Sequence, residues 1–334
     1  MNKNDAQQSQ SQAPTHIISL TEADLRQYIL IARPDHWFKN LLALPGFVLA
    51  ALLTSTEALS RLHVLLCGGL AMCLISSANY VINEWVDRET DGHHPEKNTR
   101  PLACGLLEGR LVAIEYALLA VVGLLLSTLA SSSFLIISLL FLVQGLIYNV
   151  RPMRSKDRPY WDVLSESINN PLRFWWGWFV VTARPLPPIS VILAYWLAGA
   201  YMMTLKRYAE YRSIGDPTTA ALYRASFQHY TEQRLLTLAV FSGVFSTFLL
   251  GLFITQYSIK LSLSFPFLSL IFAEYFRLSL EPASAAQSPE RLYQERRLMA
   301  LIALTVIVVV ILLNVDLPHV GTTLSAIFPT QAPW

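Results

Sequence analysis

The sequence predicts an all-α membrane protein, a polytopic bundle of about nine transmembrane helices. Of its 334 residues, 53% are hydrophobic and 14% are charged, and the mean hydropathy is +0.41, values that exclude most soluble globular domains. Nine apolar runs recur along the chain, each near the length of about 20 residues that a bilayer requires. The basic residues also fall unevenly between alternate loops, as is typical of multi-pass membrane proteins.

The N-terminal region combines a polar tail with one short helix. Residues 1–18 are rich in Gln and Ser and lack the apolar core of a signal peptide, so we expect a disordered cytoplasmic tail. A capping box at 19–22 and apolar residues at helical spacing then predict a short interfacial helix at 20–33, which Pro34 ends. We expect residues 19–334 to form one transmembrane domain.

The predicted spans follow in order, and one of them is interrupted. They lie near 41–54, 63–83, 111–130, 133–149, 163–181, 188–205, 235–254, 261–276 and 298–315. The fifth span contains Glu166, Asn169, Asn170, Pro171 and Arg173. Such residues are tolerated at membrane depth only where they face protein or a watery cavity, so we expect this span to face one of the two.

The loop charges predict the orientation of the chain. Of 25 Lys and Arg residues, all but Arg61, Arg184 and Lys260 fall in the N-terminal arm, in alternate loops or at the adjoining helix ends. Basic loops are retained in the cytoplasm. We therefore expect an inner-membrane protein with its N-terminus and its four long loops on the cytoplasmic side.

A dense cluster of acids follows the second span. Asn83, Asp87 and Asp91 recur every four residues, which places them on one stripe of a helix that continues until Pro95, with Glu84 beside them. Crowded carboxylates at a membrane boundary are stable mainly around a cation, and oxygen ligands at this spacing suit Mg²⁺ that holds a phosphate. The alternative is a set of solvated interfacial acids.

A second acidic pair, Asp162 and Glu166, lies after the fourth span and one helical turn apart. It is expected on the same side of the membrane as Asp87 and Asp91. Together the two pairs would hold one or two magnesium ions, and diphosphate oxygens and water would complete the coordination. Such a site makes diphosphate a leaving group, because the metal neutralises the charge that develops on it.

Basic residues at the same surface are candidates for binding phosphate oxygens. They are Lys39, Arg100, Arg154, Lys156, Lys206 and Arg207. The alternative for any one of them is a charge retained only by the orientation of its loop. Lys206 and Arg207, with Glu210, are the stronger candidates because they lie directly at the end of the sixth span.

The first acidic motif resembles that of the UbiA superfamily of intramembrane prenyltransferases. The superfamily signature Asn-Asp-x-x-Asp-x-x-x-Asp is similar to the run from Asn83 to Asp91, in which Glu84 replaces an aspartate. The resemblance covers about residues 25–315. It implies an acidic, magnesium-bearing cavity that opens to the cytoplasm and a lateral route for a polyprenyl chain.

Other motifs extend the resemblance. The second acidic motif of the superfamily looks like Asp162-x-x-x-Glu166, whereas its Tyr-x-x-x-x-Lys is not matched, since Met153 stands five residues after Tyr148. RPDHWFKN and LKRYAEY are most similar to the branch of decaprenyl-phosphate phosphoribosyltransferase. That branch implies phosphoribosyl diphosphate as the donor and a lipid phosphate as the acceptor.

The sequence thus predicts a magnesium-dependent membrane transferase that acts on a polyprenyl phosphate or diphosphate with loss of diphosphate. The expected metal ligands are Asn83, Glu84, Asp87, Asp91, Asp162 and Glu166. Asp87, Asp91 and Asp162 are also the expected catalytic residues. The expected phosphate-binding residues are Lys39, Asn83, Arg100, Arg154, Lys156, Lys206, Arg207 and Glu210.

The second substrate stays open between phosphoribosyl diphosphate and an aromatic acceptor, and no nucleic-acid partner is expected. In the alternative reaction, an aromatic or quinone prenyltransferase, the same acids bind a prenyl diphosphate and the acceptor is a ring. Outside this class the alternative is a transporter, whose acids would be expected near the bilayer midplane rather than at helix ends.

Overall fold

The computed structural model describes residues 22–54, 62–92, 97–282, 284–287 and 289–315. The predicted tail, the start of the capping box and Pro95 lie outside these residues. Twelve α-helices make up most of the described chain, and short 3-10 segments join several of them. The helices are α1 Glu22–Ala32, α2 Leu44–Thr54, α3 Leu62–Asp91, α4 Gly109–Ala130, α5 Ser132–Asn149, α6 Trp161–Ser167, α7 Asn169–Val181, α8 Ile189–Ile214, α9 Pro217–Tyr223, α10 Glu232–Tyr257, α11 Phe265–Ser279 and α12 Arg296–Asn314.

Eight segments among the described residues are long and apolar enough to cross a membrane. They confirm the prediction of an all-α, polytopic membrane bundle. The remaining predicted span, 163–181, is divided at Ile168 into α6 and α7, and neither helix has the length to span a bilayer by itself. The predicted count of about nine therefore consists of eight long segments and one broken pair.

Helix α7 lies inside the bundle, which is one of the two surroundings that its polar residues allowed. From Pro171 to Val181 every residue except Trp175 is buried, and the helix packs against α2, α5 and α8. A Cβ atom on Gly46 of α2 would overlap the carbonyl oxygen of Phe174, so α2 and α7 approach each other at backbone distance. This enclosure allows polar residues to stand at membrane depth without meeting lipid.

The N-terminal helix is joined to the first span rather than separated from it. Helix α1 ends before Arg33, which has a left-handed backbone with φ of 50°, and a 3-10 segment, Pro34–Ala43, leads directly into α2. Residues 25–54 consequently count as one candidate span. The 3-10 segment packs on α3 and α7 and carries His36 and Lys39 toward the interior.

Candidate active site

One cavity of about 510 Å³ opens where the C-terminal ends of α3, α5 and α8 meet. Its walls carry twelve Lys or Arg side chains against five carboxylates, a balance that attracts polyanions. The cations are Arg33, Lys39, Lys97, Arg100, Arg151, Arg154, Lys156, Arg173, Lys206, Arg207, Arg224 and Arg291, and the acids are Asp87, Asp91, Asp157, Glu166 and Glu210.

The predicted stripe of α3 forms one wall of this cavity. Asn83, Asp87 and Asp91 all line it, because their spacing keeps them on one helix face. Glu84 does not line the cavity. Its side chain is almost fully buried, and its Oε2 atom accepts a hydrogen bond from Arg33 Nη2 at 3.0 Å. Glu84 therefore pairs with a cation of the cavity wall, whereas it was expected to bind metal beside the stripe.

Two basic side chains bind Asp87. Lys156 Nζ lies 2.5 Å and Arg154 Nη2 lies 3.2 Å from Asp87 Oδ1. Lys156 Nζ also donates to Asn149 Oδ1 at 2.9 Å, and Asn83 Nδ2 donates to the same oxygen at 2.5 Å. The acid, its two cations and both amides thus form one hydrogen-bonded network between α3, α5 and the loop after α5.

Lys156 lies beside Tyr148, although it does not stand at the spacing of the Tyr-x-x-x-x-Lys motif. The 3-10 turn Ser155–Asp157 brings its ammonium to 5.9 Å from the centre of the Tyr148 ring. Burial lowers the pKa of Lys156 to about 8, and the charge of Asp87 offsets part of that effect. Below that pH the side chain is a cation, which would attract a phosphate.

The aspartates retain capacity to bind a metal. Arg100 Nη1 donates to Asp91 Oδ2 at 2.6 Å, so Asp91 Oδ1 and Asp87 Oδ2 are left without a hydrogen bond in the described part of the chain. Within that part, no group of three or more His, Cys, Asp and Glu side chains is arranged around a metal position. Mg²⁺ is usually held by one or two carboxylates and substrate phosphates, and Asp87 and Asp91 fit this requirement. Such an ion, when bound, neutralises the charge of a diphosphate.

The second acidic pair does not face the cavity as a pair. Glu166 lines the cavity, and its carboxylate has neither a hydrogen bond nor an ion pair among the described residues. Asp162 has no exposed surface and is absent from the lining. Its two oxygens accept hydrogen bonds from Ser226 Oγ at 3.0 Å and from Tyr230 OH at 2.5 Å. Asp162 and Glu166 were expected to share a metal, but Glu166 lies in the cavity wall and Asp162 is buried among protein groups.

The acid of α8 orients cations. Glu210 is 3% exposed, and it lies 2.6 Å from Arg207 Nη1 and 3.8 Å from Lys97 Nζ. Burial lowers the pKa of Lys97 to about 8, and Glu210 partly offsets this. Lys206 also lines the cavity, and it forms no hydrogen bond or ion pair within the residues described. Glu210 is thus placed to hold basic side chains, whereas it was expected to bind phosphate itself.

Five arginines that line the cavity were not among the residues predicted from sequence: Arg33, Arg151, Arg173, Arg224 and Arg291. Arg33 and Arg173 had visible signals, since one lies in the RPDHWFKN run and the other interrupts an apolar span, where a charge usually has a function. Arg224 had none, because α9 and the turn after it carry this residue back over the cavity. Lys39, which was predicted, lies 5.6 Å from the centre of the Tyr80 ring.

Residues 43–293 match the UbiA prenyltransferase family. The chain belongs to this family. The match confirms the resemblance found in the acidic motif. In addition, this UbiA-family chain has the fold of a UbiA homolog from Archaeoglobus fulgidus bound to GPP and Mg²⁺, with a TM-score of 0.66 at 17% identity over 86% of this chain and 100% of that one.

Two kinds of relative are similar in sequence to this UbiA-family chain. A 4-hydroxybenzoate octaprenyltransferase of Vibrio cholerae is 36% identical over 107 residues, which cover 32% of this chain and 37% of the relative. A decaprenyl-phosphate phosphoribosyltransferase of Mycolicibacterium smegmatis is 28% identical over 212 residues, which cover 62% of this chain and 63% of the relative. The chain thus spans about a third of the first relative and less than two thirds of the second.

Proposed function

We propose that this UbiA-family protein transfers the phosphoribosyl group of phosphoribosyl diphosphate to a polyprenyl phosphate and releases diphosphate, with Mg²⁺ as the metal. The active site would open to the cytoplasmic side of the inner membrane. The observation that carries this proposal is the excess of cations in the cavity, twelve against five carboxylates.

The charge of the substrates decides between the candidate reactions. Phosphoribosyl diphosphate and a lipid phosphate together bring a phosphate, a diphosphate and a second phosphate, or on the order of five to six negative charges near neutral pH. A prenyl diphosphate with an aromatic acid brings fewer charges and requires apolar surface for the ring. A cavity with seven more cations than acids suits the first pair of substrates better.

The residues of the cavity would divide the reaction between them. Asp87 and Asp91 would hold the metal and, through it, the donor diphosphate, while Lys156, Arg154 and Arg100 lie beside these acids and would bind the oxygens of the departing diphosphate. The bond from the anomeric carbon to diphosphate breaks, and an oxygen of the lipid phosphate forms the new bond to that carbon.

The acceptor requires little activation. A lipid phosphate is already ionised near neutral pH, so the reaction needs no strong general base. Lys206 and Arg207 would hold phosphate groups from α8, and Lys39 would contribute from the 3-10 segment. Charge neutralisation on the leaving group would then lower the main barrier, because ionisation of the donor bond is the costly step.

The sequence relatives support the same choice. The decaprenyl-phosphate phosphoribosyltransferase of Mycolicibacterium smegmatis aligns with about twice as much of this chain as does the octaprenyltransferase of Vibrio cholerae. The octaprenyltransferase has the higher identity over its shorter match, which keeps aromatic prenyl transfer as the second candidate. Transport is disfavoured because the acids lie at helix ends, whereas those of a transporter would be expected near the bilayer midplane.

The test follows label into lipid. Purified protein with magnesium is incubated with labelled phosphoribosyl diphosphate and polyprenyl phosphate, and in parallel with labelled prenyl diphosphate and aromatic acids. Labelled phosphoribosyl lipid is the expected product. A prenylated aromatic product, with no label transferred in the first mixture, would refute the proposal and establish the second candidate.

A further inference from the structure

We propose that Asp162 is a positioning residue that aligns two arginines of the cavity, Arg207 and Arg224, and that it does not bind the metal. The inference takes from the proposed function only that the cavity binds phosphorylated ligands. It replaces the role that the sequence motif assigned to this aspartate with one that its surroundings support.

Asp162 is saturated by protein groups. Its carboxylate has no exposed surface, and Ser226 Oγ and Tyr230 OH donate one hydrogen bond to each of its two oxygens. Arg207 Nε lies 3.6 Å from Oδ2, which adds a buried ion pair. A metal ligand needs an oxygen that faces the site, and both oxygens here face the segment after α9. The carboxylate is built as a fixed anchor for that segment.

The two hydrogen bonds fix a short stretch of chain beside Arg224. Ser226 and Tyr230 lie four residues apart, within and just after the 3-10 turn Ala225–His229, so the turn is held near both ends. Arg224 comes immediately before this turn. Its Nη1 atom lies 3.4 Å from Tyr148 OH and 3.5 Å from the carbonyl oxygen of Lys156, at the edge of the cavity. The position of the guanidinium therefore depends on the anchored turn.

Arg207 is held from two sides. Glu210 Oε2 accepts from its Nη1 at 2.6 Å, and Asp162 lies beside its Nε, which has no hydrogen-bond partner within the described residues. Its Nη2 atom donates to Tyr148 OH at 3.2 Å, the hydroxyl that Arg224 also approaches. Asp162 thus acts on both arginines, directly on one and through the turn on the other. Guanidinium groups fixed in advance bind phosphate oxygens with less loss of side-chain entropy.

The test uses two variants, one that removes the hydrogen-bond donors to Asp162 and one that changes Asp162 itself. The double variant Ser226→Ala/Tyr230→Phe deletes both hydroxyl donors, and Asp162→Asn removes the charge. Ser246→Ala is the matched control, because it deletes a buried hydroxyl that bonds to Ala194 O between α8 and α10, away from the cavity lining. Binding of inorganic diphosphate is measured by calorimetry at saturating magnesium, and the magnesium concentration for half-maximal binding is measured at fixed diphosphate.

We expect the double variant and Asp162→Asn each to weaken diphosphate binding by about tenfold, as for the loss of a hydrogen-bonded contact to a charged group, with the half-saturating magnesium concentration unchanged. Ser246→Ala should bind as the wild type does. The single variant Tyr230→Phe, which keeps the Ser226 hydroxyl, should show only part of the loss. Hydrogen exchange of residues 220–230 should quicken in the double variant and not in the control.

Two results would overturn the inference. One is a large increase in the magnesium requirement of Asp162→Asn with no effect of the double variant, which is the behaviour of a metal ligand. The other is wild-type diphosphate affinity in the folded double variant. Inorganic diphosphate is a fragment common to both candidate reactions, so these outcomes do not depend on which substrates are turned over. A product assay that detects neither transfer would refute the proposed function and leave the comparison of affinities intact.

Discussion

Replacement of Asp87 by asparagine should abolish most turnover and leave the protein folded. Asparagine keeps the shape of the side chain and one acceptor oxygen but removes the charge that faces Lys156 at 2.5 Å and Arg154 at 3.2 Å. The variant loses a proposed metal ligand and the alignment of two cations that would bind the leaving group. We expect turnover to fall by about 10²–10³-fold, the range found when an electrostatic contact to a developing charge is lost.

The expected loss of stability is small because Lys156 can release its proton. Removal of one partner from a buried ion pair usually costs about 3–5 kcal/mol. Burial already lowers the pKa of Lys156 to about 8, and without Asp87 it falls further. Discharging a lysine with a pKa of about 8 costs less than about 1 kcal/mol near pH 7.5, because that pH lies within one unit of the pKa. Arg154 keeps its ion pair with Asp157 at 2.7 Å, so we expect a total loss on the order of 1 kcal/mol at that pH.

The sign of the pH dependence provides a second readout. The unfolded chain binds the Lys156 proton more tightly than the folded variant does, so the variant should become more stable as the pH rises from 6 to 9. Melting in detergent and single-turnover transfer of label measure the two effects. The double variant Asp87→Asn/Lys156→Met is the control and should lose this pH dependence. Wild-type turnover in folded Asp87→Asn would refute the assignment of the acid stripe.

Three further perturbations test other parts of the cavity. Burial lowers the pKa of Lys97 to about 8, so this cation is lost and diphosphate affinity should fall as the pH rises from 7 to 9. The variant Lys97→Arg keeps its charge over this range and should reduce the fall. A pH profile of Lys97→Arg identical to that of the wild type would contradict the role of Lys97. Glu166→Gln should raise the half-saturating magnesium concentration about tenfold, as calorimetry would show. The free energy of unfolding, followed by melting, should change by less than about 0.5 kcal/mol, because the carboxylate has no partner among the described residues. An unchanged magnesium requirement would exclude Glu166 as a metal ligand. A Cβ on Gly145 would overlap the amide of Asn79, so Gly145→Ala should lower stability by about 1–3 kcal/mol, whereas Gly69→Ala, with open space around the Cβ, should not destabilise the protein in the same melting assay.

The acid stripe could be predicted from sequence because its three residues lie on one helix. Asn83, Asp87 and Asp91 share a wall of the cavity through helical periodicity alone. Glu84 departs from them for the same reason, since one helical residue rotates a side chain by about 100° and sends it toward Arg33. The roles of these residues in catalysis stay predictions, whereas the family and the membrane fold are confirmed.

The surroundings of Asp162 were not accessible in the same way. Its hydrogen-bond donors lie 64 and 68 residues further along the chain, and no periodic pattern links them to it. Arg224 reaches the cavity through the fold of α9, and Lys156 reaches Tyr148 through a 3-10 turn that its sequence spacing conceals. The spacing of residues in a motif predicts which side chains share a face of one helix. It does not predict contacts between loops, because these depend on the packing of the whole bundle.

The enclosure of α7 constrains the order in which the chain enters the membrane. A helix of 13 residues is about 20 Å long, which is shorter than the hydrocarbon core of a bilayer, and it carries buried Arg173, whose Nε donates to Asn40 Oδ1 at 3.4 Å. Partitioning into lipid alone would expose that charge and its broken backbone. We therefore expect α7 to join the bundle only after α2 and α5 are in place, and we expect α8, which also packs on α7, to complete its enclosure. The cavity is completed only when the second half of the chain has been made.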